Sequence, residues 1–281
     1  MLNRISSCLV LVFVLSAATA SAQQKLLTID DIFDPAKKIN FSGTVPNIHW
    51  LKDGRHYLLA NDASRKDLPR LQKVDAVSGE AVPFFDAVKM QAALTTLGGV
   101  TEQDAKQLAT RSSYQMNNDE TALLINWNND LFYYQLGSDK AVRVTNNPEE
   151  EVGETFSPND RLLGYVRNSN IYVYDLAAQR ERRLTTDGSP KILNGRLDWV
   201  YQEELYGRGN FEAYWWSPDS TKLAYLRLDE TPVSEFTVVD HIPYHQTLEV
   251  TPYPKAGDPN PIVQLGVVNA AGGATPLDDA R

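Results

Sequence analysis

The sequence of 281 residues predicts an all-β protein built from the blades of a β-propeller. Three observations support this: a turn motif recurs, matched segments recur at one spacing, and each turn leads into an apolar segment. The turn Ser157-Pro158-Asn159 returns as Ser217-Pro218-Asp219, where proline presets φ and Asp or Asn bonds its own backbone. The apolar segments that follow, Leu162–Tyr165 and Leu223–Leu226, are typical of strands packed on both faces.

Matched segments beyond the turn set the length of the repeat. Asp130–Tyr134 corresponds to Asn170–Tyr174, and Arg143–Thr145 corresponds to Arg183–Thr185, with a spacing of 40 residues in both pairs. A repeat of about 40 residues that contains several short strands has the length of one propeller blade. Copies begin near positions 50, 116, 156 and 216, which predicts about four blades. A β-sandwich with irregular hairpins is the alternative fold.

Two regions interrupt the repeat. Ala87–Arg111 is weakly helical in pattern and separates the first copy from the second. Gly195–Asn210 lies between the third copy and the fourth. Insertions in repeat proteins often lie on one face, which is often the binding face, so we expect the function of the chain to depend on these regions.

The N-terminal segment, residues 1–22, predicts a cleavable export signal. Arg4 supplies a positive charge, Leu9–Leu15 is a short apolar run, and Ala20-Ser21-Ala22 has the small-x-small pattern of a cleavage site. The run is too short for a membrane span, which needs about 20 apolar residues. Residues 23–281 are then predicted to form a partial propeller domain in the mature protein.

Composition narrows the classes of partner and the compartment. The single cysteine lies inside the predicted signal, so the mature chain has no disulfide and no thiol nucleophile. For an exported protein this favours the bacterial periplasm or secretion from bacteria. The net charge of −9 argues against nucleic acid and anionic membranes as partners. His241 and His245 have the spacing of a zinc pair on a helix, but Pro243 between them disfavours that helix, and we expect no cofactor and no metal.

The candidate binding residues are Glu203 and Glu204. Adjacent carboxylates usually lie on a solvated helix face, but here they follow the aromatic segment Asp198–Tyr201, which favours burial. Asp198 can cap a short helix that runs through Gln202 to Tyr206, and Gly207 and Gly209 can end it. Two carboxylates on an anchored turn can flank one ammonium group, with each charge-assisted hydrogen bond contributing about 1.5–3 kcal/mol.

Three motifs in order resemble the N-terminal β-propeller of dipeptidyl peptidase IV-type serine peptidases, in the prolyl oligopeptidase superfamily. They are Asp198–Glu204, Trp215–Asp219 and Thr251–Gly257. The resemblance implies about half of an eight-bladed propeller with a short helical insertion that carries the acidic pair. It also implies that Glu203 and Glu204 bind the free α-amino group of peptide substrates, so that the enzyme releases Xaa-Pro or Xaa-Ala dipeptides. Asp198, Trp199 and Tyr201 would build the turn that supports them.

The chain also departs from the family. It contains no Gly-x-Ser-x-Gly nucleophile motif, so we assign no catalytic residue to it. The Ser-Asp-His triad would belong to an α/β-hydrolase domain that is absent here, and the complete enzyme could form a homodimer. The family's arginine for the substrate carbonyl lies in an insertion of the second blade, for which Trp127–Asn129 leaves no room. Arg111 or another residue could replace it.

Two functions are compatible with these residues. The first is the propeller part of an exported dipeptidyl peptidase. The second is a free-standing, non-catalytic propeller that binds peptides or amines. The coding sequence after Arg281 would distinguish them, because we expect further blades and a nucleophile motif there for the first function only.

Overall fold

The computed structural model describes residues 26–34, 36, 48–61, 70–138, 140–206 and 209–273. The predicted export signal, residues 1–22, lies outside these residues. The chain divides into two compact units, Met1–Pro46 and Asn47–Arg281. In the first unit, helix α1 (Ile29–Phe33) begins at a capping box in which Thr28 and Asp31 bond each other's backbone N–H groups. Within the described residues, no helix is long and apolar enough to cross a membrane.

The second unit consists of antiparallel sheets that correspond to the predicted repeats. Three of these sheets have four strands each, in sequence order. Blade 1 contains β1 (Ile48–Trp50), β2 (His56–Ala60), β3 (Leu71–Asp75) and β4 (Ala81–Pro83). Blade 2 contains β5 (Gln115–Met116), β6 (Ala122–Trp127), β7 (Asp130–Gln135) and β8 (Lys140–Arg143). Blade 3 contains β9 (Glu151–Phe156), β10 (Leu162–Arg167), β11 (Asn170–Asp175) and β12 (Arg180–Arg183). The predicted class of all-β propeller blades is confirmed.

Blade 4 has a divided first strand. It contains β13 (Ile192–Asn194), β14 (Tyr214–Trp216), β15 (Lys222–Asp229) and β18 (Ile262–Asn269), and a separate ribbon contains β16 (Glu235–Asp240) and β17 (Thr247–Pro252). Both β13 and β14 pair with β15, one at each end of it, while β18 pairs along its whole length. The segment between β13 and β14 therefore leaves one strand line of the blade and returns to the same line.

The region between blades 1 and 2 is helical, as predicted. Asp86 caps the N-terminus of helix α2 (Ala87–Thr95), and a capping box on Thr101 precedes α3 (Glu102–Ala109). Met90 and Leu94 of α2 and Leu108 of α3 are fully buried with apolar residues of blade 2. This burial drives the packing of the two helices on the sheet, since each buried aliphatic side chain contributes about 1.5–3 kcal/mol.

The repeated turns also join neighbouring blades. The Asp160 carboxylate accepts hydrogen bonds from the backbone N–H groups of Asn118 and Asp119 in the preceding blade, both at 2.8 Å. Ser220 repeats the contact one blade later, where its Oγ accepts from the Asn159 N–H at 3.0 Å. Asp160 and Ser220 have φ values of 59° and 62°, a conformation that Asp tolerates well among non-glycine residues. The turn motif therefore connects blades as well as strands.

Candidate functional site

The insertion of blade 4 begins where Gly195 turns the chain out of its strand. Gly195 has a φ of +73°, and a Cβ atom there would come within 2.8 Å of Ile171 Cγ1, so only glycine fits without strain. The two ends of the insertion are held together, since the Leu197 N–H donates to the Phe211 carbonyl at 2.9 Å. The Ala213 N–H then donates to the Gly195 carbonyl at 3.1 Å. The insertion is therefore a loop with a closed base on the edge of the sheet.

The acidic pair lies on a short helix within this loop. The helix begins as α-helix at Trp199 and continues as a π-helix over Tyr201–Leu205. The Tyr206 N–H donates to the Tyr201 carbonyl at 2.9 Å, which closes the wider i to i−5 turn. We predicted an ordinary helical turn from Gln202 to Tyr206, so the position is confirmed and the π geometry is an addition. Single π turns of this kind are frequent at functional sites.

Asp198 caps the start of the helix. Its Oδ1 accepts a hydrogen bond from the Tyr201 N–H at 3.0 Å, and its carbonyl accepts from the Gln202 N–H at 3.0 Å. Only 5% of Asp198 is exposed. Burial raises the pKa of its carboxyl group above the ordinary value, although the hydrogen bond from the Tyr201 backbone opposes this change.

A second buried carboxyl group, that of Glu230, lies near Asp198. Glu230 is 5% exposed and stands just after β15. Burial, followed by the negative charge of Asp198, raises the pKa of Glu230 to about 7, while Lys191 acts in the opposite direction. The structure therefore keeps two carboxyl groups out of water close to the acidic helix, and the sequence contained no signal for this arrangement.

Aromatic packing holds the helix against the segment after β17. The ring centroids of Trp199 and Tyr253 are 4.4 Å apart, and those of Tyr253 and Phe236 are 5.7 Å apart. Lys255 Nζ lies 4.9 Å from the centroid of the Phe236 ring. Tyr201 stacks on Tyr206 with centroids 6.5 Å apart. Two of the three sequence motifs, Asp198–Glu204 and Thr251–Gly257, are thus in contact.

The remaining motif, Trp215–Asp219, contacts blade 3. Trp216 Nε1 donates to Thr155 Oγ1 at 3.0 Å, and the fully buried Tyr214 donates from its hydroxyl group to the Gly153 carbonyl. A Cβ atom at Gly164 would approach Trp216 Cζ2 to 3.0 Å. These contacts join β14 to blade 3, and so they fix the strand from which the insertion emerges.

The two glutamates of the pair differ in exposure. Gln202 is buried with 8% of its surface exposed, Glu203 is half-buried, and Glu204 is exposed. Leu205 and Tyr206, which follow them, are also exposed. Glu204 therefore lies at the surface and Glu203 is partly covered, on a helix that the Asp198 cap and the contact of Trp199 with Tyr253 hold in place.

Arg111, the arginine that we considered for the substrate carbonyl, lies between α3 and β5 and packs against the β6–β7 hairpin of blade 2. Its Nη2 donates to the Asn126 carbonyl at 3.1 Å, and its guanidinium carbon is 5.6 Å from the centroid of the Trp127 ring. The β6–β7 hairpin turns directly at this point, since Trp127 pairs with Asp130. Arg111 therefore lies against the part of blade 2 where β6 turns into β7.

Two clefts are notable in the described part of the chain. One of about 640 Å³ lies between blades 1 and 2, with Leu58 and Leu123 among its lining residues, and neither Glu203 nor Glu204 borders it. The other, of about 340 Å³, lies at the base of the insertion beside Arg196 and Glu212. Sequence reasoning did not select Arg196 or Glu212, and the sole signal was their position at the two ends of the insertion. Within the described residues, no group of three or more His, Cys, Asp or Glu side chains is arranged to hold a metal ion.

Comparison with known proteins gives a consistent result. A family model described as the dipeptidyl peptidase IV (DPP IV) N-terminal region matches residues 130–280. Dipeptidyl aminopeptidase B of Saccharomyces cerevisiae is 34% identical over 160 residues, which are 53% of this chain and 19% of that protein. A probable dipeptidyl peptidase 4 of Trichophyton verrucosum is 39% identical over 127 residues, 41% of this chain and 16% of that protein. The chain therefore spans less than a fifth of the length of either relative.

Solved structures show the same fold. The crystal structure of Porphyromonas gingivalis dipeptidyl peptidase 4 superposes with a TM-score of 0.65 and 24% identity, and the match covers 88% of this chain and 34% of that one. A putative dipeptidyl aminopeptidase IV from Bacteroides ovatus gives a TM-score of 0.58 at 17% identity, covering 84% of this chain and 31% of that one. The match covers about a third of each of these larger structures, as expected for a chain that corresponds to some of their blades.

Proposed function

Since the chain belongs to the family of the dipeptidyl peptidase IV N-terminal region, we propose that it is the propeller part of an exported dipeptidyl peptidase and binds the free N-terminus of peptide substrates. The observation that carries this proposal is the acidic pair, Glu203 and Glu204, on an anchored helix at the edge of blade 4. The complete enzyme would hydrolyse peptides with a serine nucleophile and release Xaa-Pro or Xaa-Ala dipeptides. The nucleophile would come from an α/β-hydrolase domain that is not part of these 281 residues.

The chemistry of the pair suits a primary ammonium group. An ammonium has three N–H donors, and two neighbouring carboxylates can accept from it at the same time. Each such charge-assisted hydrogen bond contributes about 1.5–3 kcal/mol. The cap at Asp198 and the packing of Trp199 on Tyr253 support the proposal, because a helix that is already ordered loses little conformational freedom when the ligand binds.

The role of the propeller in catalysis would be positioning. Holding the α-amino group at Glu203 and Glu204 fixes the distance from the N-terminus to the peptide bond that meets the nucleophile. Such positioning converts an encounter between two partners into a step within one complex, which can lower the barrier by several kcal/mol. This accounts for the removal of two residues at a time by the complete enzyme.

We propose that Arg111 supplies the contact to the substrate carbonyl. It contacts the β6–β7 hairpin through its Nη2, which donates to the Asn126 carbonyl and so uses one of its five N–H donors. Its cation–π contact with Trp127 helps to orient the guanidinium group. The remaining donors are suited to a carbonyl oxygen.

Export and assembly complete the proposal. Residues 1–22 would direct the chain across the inner membrane, to the periplasm or the medium. The complete enzyme would act there on peptides with a free N-terminus, and its subunits could associate as a homodimer.

The test is a binding measurement with matched ligands. Binding of Ala-Pro-amide and of N-acetyl-Ala-Pro-amide to the 281-residue chain is measured by isothermal titration calorimetry. The difference between the two ligands reports recognition of the ammonium group, separately from recognition of the rest of the peptide. Glu203→Gln and Glu204→Gln should each weaken binding of the free amine by about 10- to 100-fold, the equivalent of one charge-assisted hydrogen bond. Glu80→Gln, at an exposed position in blade 1, is the control and should change nothing. Equal binding of the acetylated peptide would contradict the proposal.

A further inference from the structure

The cleft of about 340 Å³ at the base of the insertion contains both signs of charge. One wall comes from the start of blade 3, where Glu150 precedes β9, and the other from the two ends of the insertion, at Arg196 and Phe211 to Glu212. Arg196 and Glu212 face each other across an isolated antiparallel bridge. Gly153 and Gly209, which lack side chains, also line the cleft and leave its backbone accessible.

Arg196 is held in place but forms no ion pair among the residues that the structure describes. Its guanidinium carbon lies 5.5 Å from the centroid of the Phe211 ring, and this cation–π contact orients the planar group. Phe211 is 41% exposed, so the contact is at the wall of the cleft. The five N–H donors of Arg196 match the geometry of a carboxylate.

Glu212, which carries the opposite charge, also has no ion-pair partner among the residues that the structure describes. Its side chain is half-buried, and among the described residues no donor bonds its carboxylate. Burial raises the pKa of Glu212, because a carboxylate removed from water is less stable when nothing replaces its solvation. Cross-strand neighbours of opposite charge usually attract each other, yet Arg196 and Glu212 do not form an ion pair within 4.0 Å here. Glu150, on the opposite wall, is exposed.

From this arrangement we propose that the cleft binds a small zwitterion, a free dipeptide, with its carboxylate on Arg196 and its ammonium on Glu212 and Glu150. The side chain of the dipeptide would pack on Phe211. The cleft volume lies within the range of small-molecule sites, about 300–1,000 Å³. A free dipeptide carries both charges, whereas the interior of a longer peptide carries neither. The cleft would therefore select the released product over the substrate, and this choice of ligand rests on the proposed function.

The experiment removes the acidic pair, Glu203 and Glu204, so that only binding in the cleft is measured. In the Glu203→Gln, Glu204→Gln double variant of the 281-residue chain, binding of Ala-Ala and of Ala-Ala-amide is measured by isothermal titration calorimetry. We expect Ala-Ala to bind and the amide to bind at least about tenfold more weakly, since it lacks the carboxylate for Arg196. Adding Arg196→Met should weaken binding of Ala-Ala by a similar factor. Arg196→Lys should retain part of the binding because it keeps the charge without the planar fork.

Arg180→Met is the matched control, since Arg180 is exposed at the start of β12 and far from the cleft in the sheet order. Circular dichroism spectra of all variants should be the same. Equal binding of Ala-Ala and its amide, no detectable binding of Ala-Ala, or an unchanged affinity in Arg196→Met would each overturn the proposal. A different result is expected if Glu203 and Glu204 do not bind the ammonium group. Ala-Ala-amide would then bind the chain equally well with and without the two Gln substitutions.

Discussion

Blade 3 and the region around the insertion of blade 4 surround their buried carboxylates with different partners. In blade 3, Glu151 has no exposed surface. Its carboxylate accepts hydrogen bonds from Thr145 Oγ1 at 2.9 Å, Asn147 Nδ2 at 2.8 Å and Arg167 Nη1 at 3.2 Å. Arg167 also donates to Glu181 at 2.7 Å and lies 4.2 Å from the centroid of the Tyr172 ring. Every charge in this network has a partner.

Asp198 of the insertion and Glu230, which follows β15, have no such network. Asp198 and Glu230 are each 5% exposed, and among the described residues neither forms an ion pair. Their proximity raises the pKa of Glu230 after burial has already done so. Burial raises the pKa of Glu151 too, but its three hydrogen bonds and the charge of Arg167 oppose that rise. At Glu230 the charge of Asp198 adds to the rise, so ionisation of Glu230 in the folded state is costly. A cost of this kind is expected where binding residues must be held in a fixed arrangement.

The largest predicted effect comes from breaking the pairing in blade 3. Arg167→Met leaves Glu151 buried without a cation, and removal of one partner from a buried pair costs about 3–5 kcal/mol. We expect the free energy of unfolding in urea at pH 7 to fall by that amount. Arg180→Met, at the exposed start of β12, should change it by less than about 0.5 kcal/mol. A loss below about 1 kcal/mol for Arg167→Met would remove the contrast between the two regions.

The second predicted effect is an increase in the free energy of unfolding, and it depends on pH. Because the pKa of Glu230 is raised from its ordinary 4.5 to about 7, ionisation costs more in the folded state than in the unfolded state. The protein is therefore most stable below pH 4.5 with respect to this group and loses up to about 3 kcal/mol as the pH rises to 7. Glu230→Gln should remove that loss.

Urea unfolding at pH 4 and pH 8 measures this difference. The Glu230→Gln variant should match the wild-type protein at pH 4 and exceed it at pH 8. Glu80→Gln, at an exposed glutamate of blade 1, should follow the wild-type protein at both values. A difference between Glu230→Gln and wild type that is independent of pH would show that Glu230 is ionised normally.

The smallest effect concerns the cap of the acidic helix. Asp198→Asn and Asp198→Ala both remove the charge, but only Asn keeps an oxygen that can accept from the Tyr201 N–H. Since loss of an N-cap acceptor costs about 1 kcal/mol, the Ala variant should unfold at lower urea concentration than the Asn variant by that free energy. The comparison excludes the charge as a cause. Equal stability of the two variants would mean that the cap does not hold the helix.

The blades were predictable because their signals are local. The turn at Ser157 and its copy at Ser217 each lead into a strand with the expected pairing, β10 and β15. The helix that carries Glu203 was predictable for the same reason, since a capping aspartate and the aromatic residues after it are neighbours in sequence. The π turn at Tyr201–Leu205 was not, because an additional residue in a helical turn depends on what packs around it.

The contacts that sequence reasoning missed are those between residues that are far apart in the chain. Tyr253 supports Trp199, and Glu230 lies near Asp198, but each pair is separated by one or more strands in the chain. Arg196 and Glu212 are brought opposite each other by the return of the insertion to its strand. Their residue types are common on protein surfaces, so neither position stands out without the fold.

The sequence by itself determined the repeat of the blades, the place of the insertion and the membership of the family. Turn chemistry and the alternation of apolar residues act between near neighbours, and the family motifs are contiguous. The tertiary structure alone decided which side of the helix carries the acidic pair, which carboxyl groups are buried below it, and which charges meet in the cleft. These properties depend on burial and on the path of the backbone between distant segments, and a local pattern contains neither.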